Sequence, residues 1–197
     1  MLKTLMYYNN NVNTFVHETR NVDFSNMQNL FLSRLEENAL ILDFGCGSGR
    51  DTKCFLDRGY SLEAIDGSAE MCKAASQYTG IEVKQMLFQE LDALEKYDGI
   101  WACSSILHLA FDELKDVLKK MYRALKSNGI AYVSFKYGTF EGERNGRYFI
   151  DMTEDTFVKV LEEIGGFAVE EEWITGDVRP GRGDERWLNV ILRKNKG

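Results

Sequence analysis

The stretch Ile41-Leu42-Asp43-Phe44-Gly45-Cys46-Gly47-Ser48-Gly49-Arg50 runs from an apolar strand into three alternate glycines and then into a helix-forming segment. Glycines at such a junction let the backbone turn sharply and approach a ligand with no Cβ in the way. They also bring helix N-terminal amides toward a polar group. A strand, a glycine loop and a helix in this order form the first half of a βαβ unit, so a parallel sheet flanked by helices is the expected setting. The alternative for the loop alone is a tight strand-to-helix turn without a ligand.

The rest of the chain supports that setting. From Ala39 onward, short apolar runs alternate with helix-length amphipathic stretches. The predicted strands are Ala39–Asp43, Ser61–Ile65, Ile81–Met86, Gly99–Cys103, Ile130–Phe135, Phe167–Trp173 and Trp187–Leu192. Helices are expected at Arg50–Arg58 before Gly59, at Ala69–Tyr78 before Gly80, at Glu113–Leu125 before Asn128-Gly129, and after Thr153 up to Gly165-Gly166. Leu114, Val117, Leu118, Met121 and Leu125 fall on one face of the third of these. The last two strands are joined by the loop Thr175–Arg186 with no helix between them, so they should pair antiparallel. Residues 1–38 precede the first strand. Ser25 and Gln28 there form a capping-box pattern before Leu30, Phe31 and Leu35, predicting a helix that either packs on the sheet or acts as a lid over a substrate.

Composition narrows the functional classes. With 197 residues, 44% hydrophobic and 28% charged, the chain suits one domain with a sizeable core. A single proline argues against low-complexity stretches. The net charge of −7 on average repels phosphate backbones and anionic lipid, which disfavours nucleic acid as a partner. Cys46, Cys54, Cys72 and Cys103 form no C-x-x-C pair, and reduced thiols in a cytoplasmic protein are the expected state. The opening Met1-Leu2-Lys3-Thr4-Leu5-Met6-Tyr7-Tyr8 has too short an apolar run for a signal peptide, and no membrane span is expected.

The ligand class follows from the loop's spacing. A dinucleotide fingerprint, G-x-G-x-x-G, needs a third glycine where this chain has Arg50. Asp66 stands 21 residues after Gly45 at the end of a predicted strand, where a carboxylate accepts hydrogen bonds from both hydroxyls of a ribose. The alternative for Asp66-Gly67-Ser68 is a turn with a helix cap.

With Asp43, Gly45, Gly47, Gly49 and Asp66 assembled, the pattern D-x-G-x-G-x-G resembles the first motif of class I S-adenosylmethionine-dependent methyltransferases. The resemblance spans about residues 39–135 by motif and the remainder by strand rhythm, and within the superfamily it is nearest to bacterial small-molecule enzymes of the tellurite-resistance and ubiquinone/menaquinone type. It implies a Rossmann-like three-layer α/β sandwich, with a seven-stranded, mostly parallel sheet ending in an antiparallel hairpin. Residues 1–38 would form a helical cap, 39–135 the cofactor motifs and 136–197 the substrate loops and final strands. S-adenosyl-L-methionine is the implied cofactor, with Asp43, Gly45, Cys46, Gly47 and Gly49 around its methionine moiety and Asp66, Gly67 and Ser68 at the ribose. Many relatives carry an acid after the third strand for the adenine amino group. Met86-Leu87-Phe88-Gln89 has none, which leaves Leu87, Phe88 and Gln89 to hold adenine, with Cys103 on the cofactor side of the fourth strand.

Methyl transfer from a sulfonium is an in-line displacement with a neutral leaving group, so alignment in a dry pocket is the main requirement. His108 follows the fourth strand at the carboxyl edge, where it either takes a proton from the acceptor or shapes the cofactor pocket. Cys103-Ser104-Ser105-Ile106 lacks the D/N-P-P-Y/F pattern of base-amino methyltransferases, and its thiol and hydroxyls are poor ligands for magnesium, so no catalytic metal is expected. Tyr8, Lys136, Arg147, Arg179 and Arg182 are the candidate acceptor-binding residues. The loop Arg179-Pro180-Gly181-Arg182-Gly183-Asp184-Glu185-Arg186 either clamps a carboxylate or pairs its arginines with its own acids. The resemblance implies a small-molecule methyl acceptor. An RNA or protein methyltransferase and a non-methylating nucleotide binder remain the alternatives.

Overall fold

The computed structural model describes residues 2–179 and 181–195, leaving Met1, Pro180, Lys196 and Gly197 outside the described residues. Seven strands form one sheet in the order β3-β2-β1-β4-β5-β9-β8: β1 (Leu40–Phe44), β2 (Ser61–Asp66), β3 (Val83–Gln85), β4 (Tyr97–Ala102), β5 (Leu125–Lys136), β8 (Phe167–Gly176) and β9 (Arg186–Lys194). The first five are parallel, whereas β9 inserts antiparallel between β5 and β8. This is the expected seven-stranded architecture with its antiparallel end. The first four strands lie within about two residues of their predicted bounds.

Helices α4 (Arg50–Asp57), α5 (Ala69–Thr79), α6 (Phe111–Ala124) and α7 (Glu154–Ile164) connect the strands. On one sheet face, α6 buries Leu114, Val117, Leu118 and Met121 with α7's Phe157 and Val160 against Leu42, Ile100 and Val133. The opposite face is closed by α3 (Ser25–Leu32), whose Phe31 and Leu32 join Ile41, Phe55, Trp101 and Tyr132. Trp101 stacks on Tyr132 with ring centroids 4.0 Å apart, and it meets Phe31 and Phe55 edge-on. Fully burying each such ring contributes roughly 1.5–3 kcal/mol, so this layer fixes α3 on the sheet.

Three local expectations are corrected. The Ser25 capping box does not form: Phe24 is the cap residue, the Ser25 amide donates to Asp23 Oδ1 at 2.9 Å, and Gln28 is turned into the core. Asn128-Gly129 does not separate α6 from a later strand. Asn128 takes the positive φ such a pair favours (φ 64°), but inside β5. The β4–β5 register jumps there, from Tyr97↔Leu125 to Gly99↔Ile130, so the turn signal is spent on a bulge. The segment after Lys136, read as irregular, contains a second sheet, the hairpin β6 (Glu141–Arg144) and β7 (Arg147–Ile150). Its connection is Asn145-Gly146, both at positive φ as a two-residue hairpin turn requires.

Two further helices, α1 (Leu2–Asn10) and α2 (Val12–Thr19), complete the N-terminal region. They bind away from α3's sheet face. Asn9 Oδ1 accepts from Ser68 Oγ at 2.7 Å, Thr4 Oγ1 accepts from the Tyr148 amide at 3.1 Å, and Arg20, just past α2, donates to the Ser48 carbonyl at 3.1 Å. The N-terminal segment therefore does two jobs: α3 packs on the sheet, while α1 and α2 lie over the carboxyl ends of the strands. Among the described residues, no helix is long and apolar enough to cross a membrane.

Candidate functional site

β1 connects outward to β2 on one side and the sheet continues through β4 on the other, so the strand order reverses between β1 and β4. Open α/β sheets bind their ligands beyond the carboxyl ends of the strands at such a point. A cavity of about 460 Å³ lies there, lined by Gly45, Cys46, Gly47, Asp66, Gly67, Leu87, Phe88 and Cys103 from the sheet side. Tyr8, Phe15, His108, Arg147, Arg179 and Arg182 line it from α1, α2, the turn after β4, the hairpin and the β8–β9 loop. This size falls in the range of small-ligand sites.

The glycine loop meets the cavity in an unexpected way. Its amides are consumed internally: Gly45 and Cys46 donate to the Ile65 carbonyl at 3.0 and 2.9 Å, Gly47 to Asp66 Oδ2 at 3.0 Å and Gly49 to the Cys46 carbonyl at 3.0 Å. These amides are thus not offered as a phosphate nest, the arrangement a dinucleotide requires. What the loop offers instead is bare backbone. A Cβ on Gly45 would sit 2.5 Å from Ser105 Cβ and 3.0 Å from the Phe88 ring, and one on Gly47 would sit 3.2 Å from the Phe15 ring. Gly49 differs. It does not line the cavity, and a Cβ there would meet Thr79 at 2.9 Å and Ala75 at 3.2 Å, so this glycine lets α4 pack closely on α5.

The acids around the loop occupy distinct environments. Asp66 accepts from the Gly47 and Ser68 amides, at 3.0 and 2.8 Å, one on each carboxylate oxygen. Each oxygen keeps a second lone pair for a ligand hydroxyl. Burial raises its pKa, with those same amides opposing the shift. Asp43 is buried and accepts from Thr52 Oγ1 at 2.5 Å. Burial, then the charge of Asp51, pushes its pKa up to about 8. Asp51 was not singled out by the sequence. Its burial works against ionisation, yet the Arg50 guanidinium and donors from Gln28 and Trp101 outweigh it and hold the group below the usual carboxylate range. The distances are 2.8 Å to Arg50, 2.7 Å to Gln28 Nε2 and 2.9 Å to Trp101 Nε1.

Besides Gly49, two expected cofactor residues stand elsewhere. Ser68 is buried outside the cavity, capping α5 by accepting from the Met71 amide at 3.2 Å; the cap alternative applies to it while Asp66 and Gly67 line the site. Gln89 turns away from the cavity, donating to Glu113 on α6 at 3.3 Å. Leu87 and Phe88 do line the cavity, with Phe88 tilted against Phe44 at 4.8 Å. Cys103 lines it as well, and burial pushes its thiol up to about 12.

His108 has no free nitrogen. Nδ1 lies 2.6 Å from the Tyr148 carbonyl and must donate there, which leaves Nε2 to accept from the Tyr8 hydroxyl at 2.8 Å. Burial lowers its pKa to about 4, with the Tyr148 carbonyl opposing and Arg147 adding to the shift. The imidazole is therefore neutral at physiological pH and bound to a phenol, which favours the pocket-shaping alternative for His108 over proton acceptance. The sequence could not pair it, because its partner lies 100 residues away. Of the candidate acceptor residues, Lys136 pairs with Glu185, Arg179 with Asp177, and Arg182 with Glu18 at 3.6 Å and Glu185 at 3.8 Å.

Residues 41–129 match the family of methyltransferase domains. An uncharacterized methyltransferase of Staphylococcus carnosus is 26% identical over 174 residues, 80% of this chain and 82% of that protein. A malonyl-[acyl-carrier protein] O-methyltransferase of Acetivibrio thermocellus is 32% identical over 106 residues, which cover 51% of this chain and only 37% of that enzyme. In structure, the Burkholderia thailandensis 1,6-didemethyltoxoflavin-N1-methyltransferase, solved with 1,6-didemethyltoxoflavin and S-adenosylhomocysteine, superposes with a TM-score of 0.77 at 22% identity, over 98% of this chain and 85% of that one. Sheet order and glycine loop are those of the Rossmann-like class I methyltransferase fold. The domain match and the relatives support an S-adenosylmethionine-dependent enzyme, with S-adenosylmethionine as its cofactor. The residues present fit that cofactor: a phosphate-free ligand needs no amide nest, Gly45 and Gly47 line the cavity, and the free lone pairs of Asp66 suit a ribose.

Proposed function

We propose that the chain methylates a small-molecule acceptor in the cytoplasm, where its four free thiols stay reduced. The observation that carries this is the partial enclosure of the cavity by helices and hairpin. The same space that touches Gly45 and Gly47 is walled by Tyr8 and Phe15 of the N-terminal helices and by Arg147 and Phe149 of the hairpin. A partly walled space of about 460 Å³ suits a cofactor together with a compact acceptor.

S-adenosylmethionine supplies a methyl group on a sulfonium with a neutral leaving group. The chain's task is alignment and exclusion of water. In this reading Asp66 accepts the ribose hydroxyls, Gly45, Cys46 and Gly47 flank the methionine portion, Gly67 and Cys103 border the cofactor, and Leu87 and Phe88 sandwich the adenine. Asp43 acts through Thr52 and β1 on the loop. His108 is a positioning residue that holds the Tyr8 hydroxyl at the acceptor end.

The test is release of S-adenosylhomocysteine from purified protein given dialysable metabolites, total RNA or total protein as separate acceptor pools. Turnover with the dialysable pool is expected. Turnover confined to RNA or protein would overturn the proposal.

A further inference from the structure

The charges lining the cavity nearly all have partners. Arg50 pairs with Asp51, Lys136 with Glu185, Arg144 with Asp151, Arg179 with Asp177, and Arg182 with Glu18 and Glu185. Arg147 is different. Among the described residues it makes no ion pair, its Nε is buried with no hydrogen-bond partner, and its only hydrogen bond is a long one of 3.4 Å from Nη1 to the Tyr8 hydroxyl. Aromatic rings occupy the guanidinium faces, with Tyr7 at 4.4 Å and Phe149 at 5.1 Å. Its polar neighbours Tyr8 and His108 are both neutral at physiological pH, since burial raises the first pKa and lowers the second.

A half-buried guanidinium held between rings, with its Nε out of water and unpaired and no counter-charge beside it, is costly. Its planar N–H edge matches a carboxylate in two parallel charge-assisted hydrogen bonds. Stacking consumes the faces and leaves that edge. We infer that the methyl acceptor is a carboxylate-bearing small molecule whose carboxylate binds Arg147, beside the Tyr8 hydroxyl that His108 fixes. This rests on the methyltransferase reading with a small acceptor and names the acceptor's chemical class. It singles out Arg147 among the acceptor candidates and takes the self-paired alternative for the β8–β9 loop. Arg179 there pairs with Asp177, and Arg182 with Glu185 of the loop and Glu18 of α2.

The experiment uses the full chain saturated with S-adenosylhomocysteine. Calorimetry follows binding of a set of small carboxylates (acetate, malonate, benzoate and 2-aminobenzoate), each against its neutral amide. At least one acid is expected to bind while its amide does not, and Arg147→Met should weaken that acid by about 10- to 100-fold, the loss of charge-assisted hydrogen bonds. Arg147→Lys should recover part of it by keeping the charge without the fork, and the unfolding midpoint of each variant shows that it is folded. Inorganic phosphate binding better than every acid would overturn the carboxylate assignment, as would no acid binding at all, or acids binding Arg147→Met as well as the parent. If Arg147→Met instead weakens S-adenosylhomocysteine itself by the same factor, the anion at Arg147 is the cofactor's own carboxylate and the inference fails. Failure of the parent to bind S-adenosylhomocysteine would count against the methyltransferase reading, separately from the acceptor.

Discussion

Gly47 and Gly49 stand two residues apart in one motif, yet the structure gives them different work, and alanine at each should separate the two. Both have left-handed backbones, with φ of 53° and 78°, so either substitution costs about 1–2 kcal/mol of folding stability through backbone strain alone. At Gly49 a Cβ also falls 2.9 Å from Thr79 and 3.3 Å from the Ala75 backbone, where α4 and α5 cannot easily part. Overpacking of that kind adds about 1–3 kcal/mol, so Gly49→Ala should lose about 2–5 kcal/mol in total. At Gly47 the nearest atom is 3.2 Å away at the end of the Phe15 ring, which can swing, so stability should fall by the backbone term only. The added methyl at Gly47 instead occupies cofactor space, and affinity should drop by about 1–3 kcal/mol, or roughly 5- to 150-fold. Urea unfolding reports the first quantity and calorimetric titration of the folded protein with S-adenosylhomocysteine the second. Gly47→Ala binding like the parent, or Gly49→Ala losing affinity without stability, would refute the division of labour.

Asp66→Ala should weaken cofactor by about 1.5–3 kcal/mol and also destabilise the protein, because the Gly47 and Ser68 amides lose their acceptor; unchanged affinity in calorimetry would remove Asp66 from the ribose site. Tyr8→Phe should cost about 1–3 kcal/mol in urea unfolding by leaving His108 Nε2 buried and unpaired, and a neutral result would mean that nitrogen finds another partner. Asp43 carries a pH signature: burial and Asp51 raise its pKa to about 8 from 3.8, so folding favours its neutral form. That contribution is full below about 3.8 and is lost as pH rises to about 8, so unfolding free energy should fall between about pH 4 and about pH 8 and level off above that. Asp43→Asn should flatten that slope, and an equally steep slope in the variant would assign the titration to another group.

How much of this was legible in the sequence depended on how local each interaction is. Asp43, Gly45, Gly47 and Asp66 lie on two adjacent strands and their loops, so spacing alone brings them together. The antiparallel end of the sheet followed from a missing crossover helix. Asp51 was illegible because its partners, Gln28 and Trp101, arrive from 23 residues before and 50 residues after it; alone it reads as an acid in a first helical turn. That same bond explains the failed capping box, since Gln28 serves Asp51 and Cys54 in the core and not the helix start. The β6–β7 hairpin hid behind short strands bearing charges at Glu141, Glu143, Arg144 and Arg147, although Asn145-Gly146 was a usable hairpin signal.

The distribution of charge explains why this glycine loop suits a sulfonium cofactor and not a pyrophosphate. A phosphate nest needs converging free amides, and here Gly45, Cys46, Gly47 and Gly49 have spent theirs on Ile65, Asp66 and Cys46. The consequence is a cavity whose glycine-loop end carries unneutralised acidity at Asp66, while Arg50 and Asp51 cancel one another. A cofactor whose sulfonium leaves it with a net positive charge gains from that acidity. At the hairpin end the sign reverses, because Arg147 makes no ion pair among the described residues. The two ends thus have opposite polarity across one small cavity. An anionic acceptor bound at the hairpin end is drawn toward a cationic methyl donor at the other, which favours close approach of the two reactants before any residue acts as acid or base.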